Sequence, residues 1–297
     1  MKHNRILVAL NLTAGPDPAF ERALALAKAS GAELYLLHAV PANQSFSFRA
    51  AERLRHSAAF RKRAEAAGVS AVTAEQHGDP VEIIVLHADA RAVDFIVMST
   101  ERRTGWARFR QPSVAERVLR RTKRPTLVVP INDAIDASAF KKVLVAVDLS
   151  AASSALIDTS MHLLGSGVRQ LTALHVPNEI EAADALRNRA KRLVPKYRRY
   201  ALGEARQRLK AAMPHSVGTD TKLTLRVATG AAAETIRAYA TYHNADLIVM
   251  GRTKRFMHLG STAVRVLRNT DRAVLVIPPT AVARSVDADQ AMYKRAA

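Results

Sequence analysis

Arg5-Ile6-Leu7-Val8-Ala9-Leu10-Asn11 returns 137 residues later as Lys142-Val143-Leu144-Val145-Ala146-Val147-Asp148. Each stretch is a basic residue, an apolar run and a short polar side chain, the pattern of a strand buried on both faces that stops abruptly. The echo continues along the chain. Leu36–Val40 aligns with Thr172–Val176, and Asp94-Phe-Ile-Val-Met-Ser99 with Asp246-Leu-Ile-Val-Met-Gly251. Pro112–Leu119 aligns with Gly260–Leu267, and Pro125–Pro130 with Ala273–Pro278. A self-similarity this long signals two copies of one domain.

The offset between the copies is 137 at Asn11/Asp148 and His38/His175, 152 at Gly78/Gly230 and Asp94/Asp246, and 148 at Ser113/Ser261. Copy two therefore gained 15 residues between its second and third strands and lost four after its fourth. Within copy one, strands are expected near 5–11, 33–40, 70–76, 94–99 and 125–130, with helices near 17–30, 48–67, 80–91 and 113–122. Strictly alternating strands and helices imply parallel strands with right-handed crossovers. The expected fold is α/β, two tandem doubly wound domains, each a five-stranded parallel sheet with about four helices. The domains are expected at 1–132 and 139–280, with a linker over Ile131–Phe140 and a flexible tail at 281–297. Ligands of such sheets sit at the carboxyl ends of the strands. That puts Asn11 and Asp148, Val40 and Val176, and the loops after Met98 and Met250 on rims.

Composition narrows the function. At 297 residues the chain suits two domains. Aromatics are only 5%, so the cores must be aliphatic. There is no Cys, which excludes disulfides, thiolate metal sites and Cys nucleophiles. No His/carboxylate cluster has metal-ligand spacing, so no metal site is expected. No apolar run suits a secretory leader or a membrane span, and the chain reads as cytoplasmic. The net charge is +19; 20 basic and 14 acidic residues lie in the first 138 positions, 25 and 12 after them, so +13 of the excess falls in copy two.

The chain resembles the universal stress protein family in its tandem form. Asp148-Leu149-Ser150, Asp246–Gly251 and Gly260-Ser261 with its following helix and Val274–Ile277 carry the likeness. The resemblance implies an adenine nucleotide alpha hydrolase-like fold with strand order 3-2-1-4-5, and two domains packed through their fifth strands about a pseudo-two-fold axis. It also implies a Gly-x2-Gly-x9-Gly-Ser/Thr loop whose amides and hydroxyl hold ATP phosphates, with the first-strand Asp and the end of strand two on the nucleoside. Glycines and a helix N-terminus suit that task, because they bring N–H groups and positive dipole to phosphate.

Copy one departs from this loop. The glycines map to Ser99, Arg102 and Pro112 and the Asp to Asn11, with only Ser113 kept. Pro112 has no N–H to donate. Copy one therefore reads as a degenerate site unable to hold ATP in the family manner. Copy two keeps Asp148, Ser150, Val176, Gly251, Gly260, Ser261 and Thr262, while its second glycine is Lys254. A short, glycine-poor loop resembles the members that do not bind ATP, yet Lys254 and Arg255 place charge where phosphates would lie. Binding of ATP or AMP there stays open, as does helix capping as the only role of Gly260-Ser261 and Ser113. No general base for hydrolysis is evident, so no catalytic residue is assigned and any ATP hydrolysis would be weak. His38 and His175 recur on strand two and read as hydrogen-bonded core histidines.

The insertion in copy two is strongly basic. Ten Lys/Arg fall between 187 and 210, among them Arg187, Arg189, Lys191, Arg192, Lys196, Arg198 and Arg199. It reads as two helices bent near Pro195. A solvated face is the plain account; docking of an acidic protein, lipid heads or nucleic acid is the other. Two functions follow from different classes: a regulatory or protective stress-response protein with a nucleotide site in copy two, or a nucleotide-free interaction module that docks a polyanion through 187–210. Whether two chains form a homodimer is left open.

Overall fold

The computed structural model describes residues 5–12, 17–42, 50–100, 112–133, 140–177, 194–213, 220–252 and 259–281. In the first half the elements are β1 (Arg5–Ala9), α1 (Pro18–Ser30), β2 (Glu33–Val40), α2 (Ala50–Ala66), β3 (Ala71–His77), α3 (Pro80–Ala90), β4 (Phe95–Thr100), α4 (Val114–Arg121) and β5 (Thr126–Pro130). The second half repeats them as β6 (Lys142–Val147), α5 (Ser153–Leu164), β7 (Gln170–His175), α6 (Val194–Ala211), β8 (Lys222–Val227), α7 (Ala232–Tyr242), β9 (Leu247–Gly251), α8 (Ser261–Asn269) and β10 (Ala273–Ile277). Asp17 and Asp79 cap α1 and α3 with their carboxylates, each followed by a proline at the first helical position, which needs no N–H partner there.

Each half has the order 3-2-1-4-5, and all pairs within a half are parallel. The halves meet through their fifth strands, as the resemblance implied, and so share one ten-stranded sheet, β3-β2-β1-β4-β5-β10-β9-β6-β7-β8. Successive strand residues enter opposite layers: Ile6 and Val8 pack with α1 residues on one face, Leu7 with α3 and α4 residues on the other. Both apolar layers run through the two halves without a break.

The joint is the antiparallel pair β5·β10, in which Leu127 lies opposite Leu275. These two residues are 148 apart, the local repeat offset, so each is the other's counterpart and the pseudo-two-fold axis passes between them. Side chains fasten the joint. Glu116 in the first turn of α4 accepts two hydrogen bonds from Arg268 in the last turn of α8, at 2.7 and 2.8 Å. The mirror position holds Val264 and Arg120, and there Arg252 donates to the Leu119 carbonyl. Arg22 of α1 fixes both ends of the linker, through an ion pair to Asp133 at 2.8 Å and by lying over the Phe140 ring.

Three local expectations change. β1 and β6 end at Ala9 and Val147, because the amide of Asn11 turns to the Asp17 carboxylate and Asp148 folds back onto the Ser150 amide. Pro195 stands in the first turn of α6, where proline is tolerated, and the expected helix before it lies outside the described residues. His38 and His175 each bond a carbonyl at the end of the neighbouring first strand, Leu10 just past β1 and Val147 the last of β6, 137 residues apart. The register therefore pairs Val176 with Ala39 and Pro177 with Val40, one residue from the alignment of Leu36–Val40 with Thr172–Val176. With 18 residues, α6 is hardly longer than the 17 of α2, so the insertion falls in the flanking segments, outside the described residues. The expected tail from 282 onward and the middle of the linker, 134–139, also lie outside them.

Truncating Glu116 leaves Arg268 unpaired at the joint. Glu116→Ala is expected to cost about 1–3 kcal/mol in urea unfolding, and Glu116→Ala with Arg268→Ala to cost less than the sum of the singles. Strict additivity would show that the pair does not hold the joint. A second prediction concerns His87, which bridges Tyr35 Oη at 2.7 Å and Gln76 Oε1 at 2.5 Å. Burial, then the charge of Arg91, holds its pKa below the ordinary value. Such a histidine binds fewer protons folded than unfolded, so stability is full above pH about 6.5 and falls as pH drops toward the folded value, by at most ~1.4 kcal/mol per pH unit. His87→Gln should be less stable at pH 8 yet lose less between pH 8 and 5.5; equal losses would refute the assignment.

Candidate functional site

All first-half strands point one way and, because β5·β10 is antiparallel, all second-half strands point the other. The two rims of carboxyl strand ends therefore lie at opposite edges of the sheet. Each helix that follows a strand runs back, so α4 brings its N-terminus to the first rim and α8 its own to the second.

A cleft of about 680 Å³ opens at the first rim, within the size range of small-molecule sites. Asn11, His38, Thr100 and Ser113 offer polar groups to it, and Ile84 and Met98 apolar wall. Its organiser is Asp17, 4% exposed. The Asp17 carboxylate accepts the Asn11 amide at 3.1 Å, the Ala19 amide at 2.9 Å and the Ser99 hydroxyl at 2.5 Å. Those bonds fix the end of β1, the start of α1 and the end of β4 to one point. The His38 Nδ1 bond to the Leu10 carbonyl requires Nδ1–H, and burial keeps the ring's pKa low, so in the neutral ring Nε2 carries a lone pair. The N-terminus of α4 is already compensated: Ser113 Oγ accepts the Glu116 amide at 3.1 Å, and the Glu116 carboxylate sits in the first turn.

The second rim is built differently. Asp148 is exposed; its Oδ1 accepts the Ser150 amide at 3.0 Å and the Ser153 hydroxyl at 3.4 Å. Leu149 between them has φ 57°, in the left-handed region that a branched side chain rarely adopts. At α8 the N-cap is Gly260, with no side-chain cap bond and no acid in the first turn. Side-chain capping therefore accounts for Ser113 and not for Gly260-Ser261. A Cβ built on Gly260 would meet nothing within 4 Å, and one on Gly251 would touch Leu156 only at 3.5 Å, so neither glycine is demanded by packing within the chain.

At the local offset of 137, Asn11 corresponds to Asp148 and Asp17 to Ser154. Each rim thus has one carboxylate near the start of its first helix, contributed from a different position. Copy one has moved its acid rather than simply lost it, and in moving it has buried it under three hydrogen bonds. The Asp17-Pro18 cap signature was the sequence signal for this residue.

The other sequence candidates fall as follows. Val40 is fully buried, and its carbonyl accepts the Gly78 amide at 2.9 Å, so its side chain faces no ligand. Val176 lies just past β7, half-buried. Pro112, Ser150, Ser261 and Gly251 are exposed and Thr262 is half-buried. Arg102, Lys254, Arg187, Arg189, Lys191 and Arg192 lie outside the described residues, and Lys196, Arg198 and Arg199 stand in α6 with side chains outside the description. Among the described residues no group of three His, Asp or Glu could hold a metal, and no helix is long and apolar enough to cross a membrane.

Comparison with known proteins places this architecture. A solved universal stress protein from Archaeoglobus fulgidus is similar at a TM-score of 0.66 and 20% identity, covering 93% of this chain and 96% of that one. A functionally unknown protein from Pseudomonas aeruginosa is similar at 0.64 and 18%, covering 95% of each. A second Archaeoglobus fulgidus universal stress protein, solved with dAMP, covers 44% of this chain and 100% of its own at 20% identity and a TM-score of 0.33. The comparison with curated proteins found no match. The model of the universal stress protein family matches twice, over residues 2–130 and 139–278. With both halves matched by the family model, this protein belongs to the universal stress protein family, as a tandem member.

Proposed function

We propose that the chain is a regulatory or protective stress-response protein of the cytoplasm whose second half binds an adenine nucleotide, ATP or AMP. Asp148, Ser150, Val176, Gly251, Lys254, Gly260, Ser261 and Thr262 are the residues read as its site. One observation carries the reading. The N-terminus of α8 has neither a side-chain cap nor an acid in its first turn, while its counterpart in the first half has both. A helix that exposes its first N–H groups next to an unhindered glycine is ready for a phosphate. The exposed Asp148, held by the turn at Leu149, supplies acceptors on the same rim for a ribose. Catalysis is not part of the proposal.

Millimolar ATP or AMP should raise the melting midpoint of the intact chain by roughly 2–4 °C. Gly260→Pro should abolish the shift; the φ of Gly260, −59°, already suits proline, so the change removes an N–H without bending the backbone. Ser113→Ala should leave the shift intact. No shift in wild type, or a shift that survives Gly260→Pro, defeats the reading.

A second reading concerns α6. Arg206, Arg208 and Lys210 are exposed on it, as are Lys222 and Arg226 on the edge strand β8 against which it packs. These cations favour a polyanion partner, an acidic protein first, with lipid heads or nucleic acid as further candidates. Charge reversal at Arg198 and Arg199 should then weaken binding to heparin or acidic vesicles, and that binding should fall steeply with salt. Salt-independent binding, or binding untouched by the reversal, would leave the basic segment a solvated face.

A further inference from the structure

The two sides of the joint are chemically unequal. The pseudo-two-fold that relates Leu127 to Leu275 carries Glu116 onto Val264 and Arg268 onto Arg120. On one side, Arg268 in the last turn of α8 meets the Glu116 carboxylate in the first turn of α4 through two hydrogen bonds of 2.7 and 2.8 Å. On the other, Arg120 in the last turn of α4 is set against the start of α8, and Val264 stands where the carboxylate would be. The cation is present on both sides and the anion on one.

Three observations mark the second side as a place of uncompensated charge. First, Arg120 Nε is buried and has no hydrogen-bond partner. The arginines beside it on α4 differ: Arg117 pairs with Asp79 at 2.6 Å and Arg121 with Glu82 at 3.5 Å. Second, Arg252, half-buried just past β9, reaches the same turn and donates to the carbonyl of Leu119, the residue before Arg120. That acceptor is neutral and leaves further N–H groups of the guanidinium to satisfy, and burial pulls the Arg252 pKa below its ordinary value. Third, the first turn of α8 holds no acid, so the positive end of its dipole adds to the two guanidinium charges. Residues 253–258, which follow Arg252, include no Asp or Glu. A buried charged donor without an acceptor is costly, and native proteins satisfy it with an acid, a water or an ion. The planar fork of a guanidinium matches the edge of a tetrahedral oxyanion.

We propose that the joint binds a small tetrahedral oxyanion, inorganic phosphate or sulfate, between Arg120 and Arg252 on the Val264 side. The anion does there what the Glu116 carboxylate does on the other side. Its two cations come from the two halves of the chain, so binding ties the halves together and stabilises the folded molecule. The site lies in the seam of α4 and α8 and needs no nucleotide.

The test follows the melting midpoint of the full chain at fixed pH and ionic strength. Sulfate or phosphate replaces chloride up to about 10 mM, where the general salting effect of these ions is small. A saturable rise of roughly 2–4 °C is expected. Arg120→Gln and Arg252→Gln should each remove it. Val264→Glu supplies the carboxylate from within the chain; it should raise the midpoint in chloride and no longer respond to either oxyanion. Arg120→Gln carries the test if Val264→Glu fails to fold. Gly260→Pro, which should silence nucleotide binding at the second rim, should leave the rise intact, so the two proposals fail separately. Equal midpoints in chloride and oxyanion, a rise that survives Arg120→Gln, or a rise lost with Gly260→Pro would each overturn the proposal.

Discussion

The antiparallel pairing of β5 with β10 is the constraint on which the rest of the molecule depends. A five-stranded parallel sheet of this order ends in its fifth strand, and here that strand is apolar at nearly every position. Left open, Thr126–Pro130 and Ala273–Ile277 would each be an exposed, hydrophobic edge and a template for aggregation. Joined, every residue of both is buried. The halves therefore complete each other, and the two apolar layers become common property of the chain.

The same pairing decides where ligands can go. It reverses the strands of one half relative to the other, so the two rims face away from each other and do not form one shared site. It also lays α4 and α8 antiparallel, so that the N-terminus of each lies near the C-terminus of the other. The Glu116–Arg268 pair exploits this, putting an anion at the start of α4 and a cation at the end of α8, where both helix dipoles favour them. At the mirror position Val264 replaces the acid, and Arg252 bonds the Leu119 carbonyl instead. A device that fastens the joint thereby makes the rims unequal: it quiets the N-terminus of α4 and leaves that of α8 uncompensated.

The repeat made the order of elements legible, since apolar runs and proline-bearing caps mark them locally. The joint came from the family resemblance and not from the repeat, because nothing within one copy says whether its last strand meets its twin. Asp17 escaped notice for a related reason. Alignment to the other copy sets it beside Ser154, and a carboxylate that moves between positions looks like a lost one at Asn11. The histidine roles were readable, and the offset of 137 between His38 and His175 already set the register that their bonds to Leu10 and Val147 fix; aligning Val40 with Val176 was one residue off. Arg102, Lys254 and most of the basic segment carry charge without periodicity, and sequence pattern has least to say about such stretches.

Met98 and Met250 occupy equivalent places under the two rims, at offset 152, and both are nearly fully buried. With methyl-labelled methionine and assignment by Met98→Leu and Met250→Leu, an ATP titration followed by NMR reports each rim separately. The account expects the Met250 methyl to shift in a saturable manner while Met98 stays still. Movement of Met98 with ATP, alone or with the same midpoint as Met250, would contradict the inequality of the two rims.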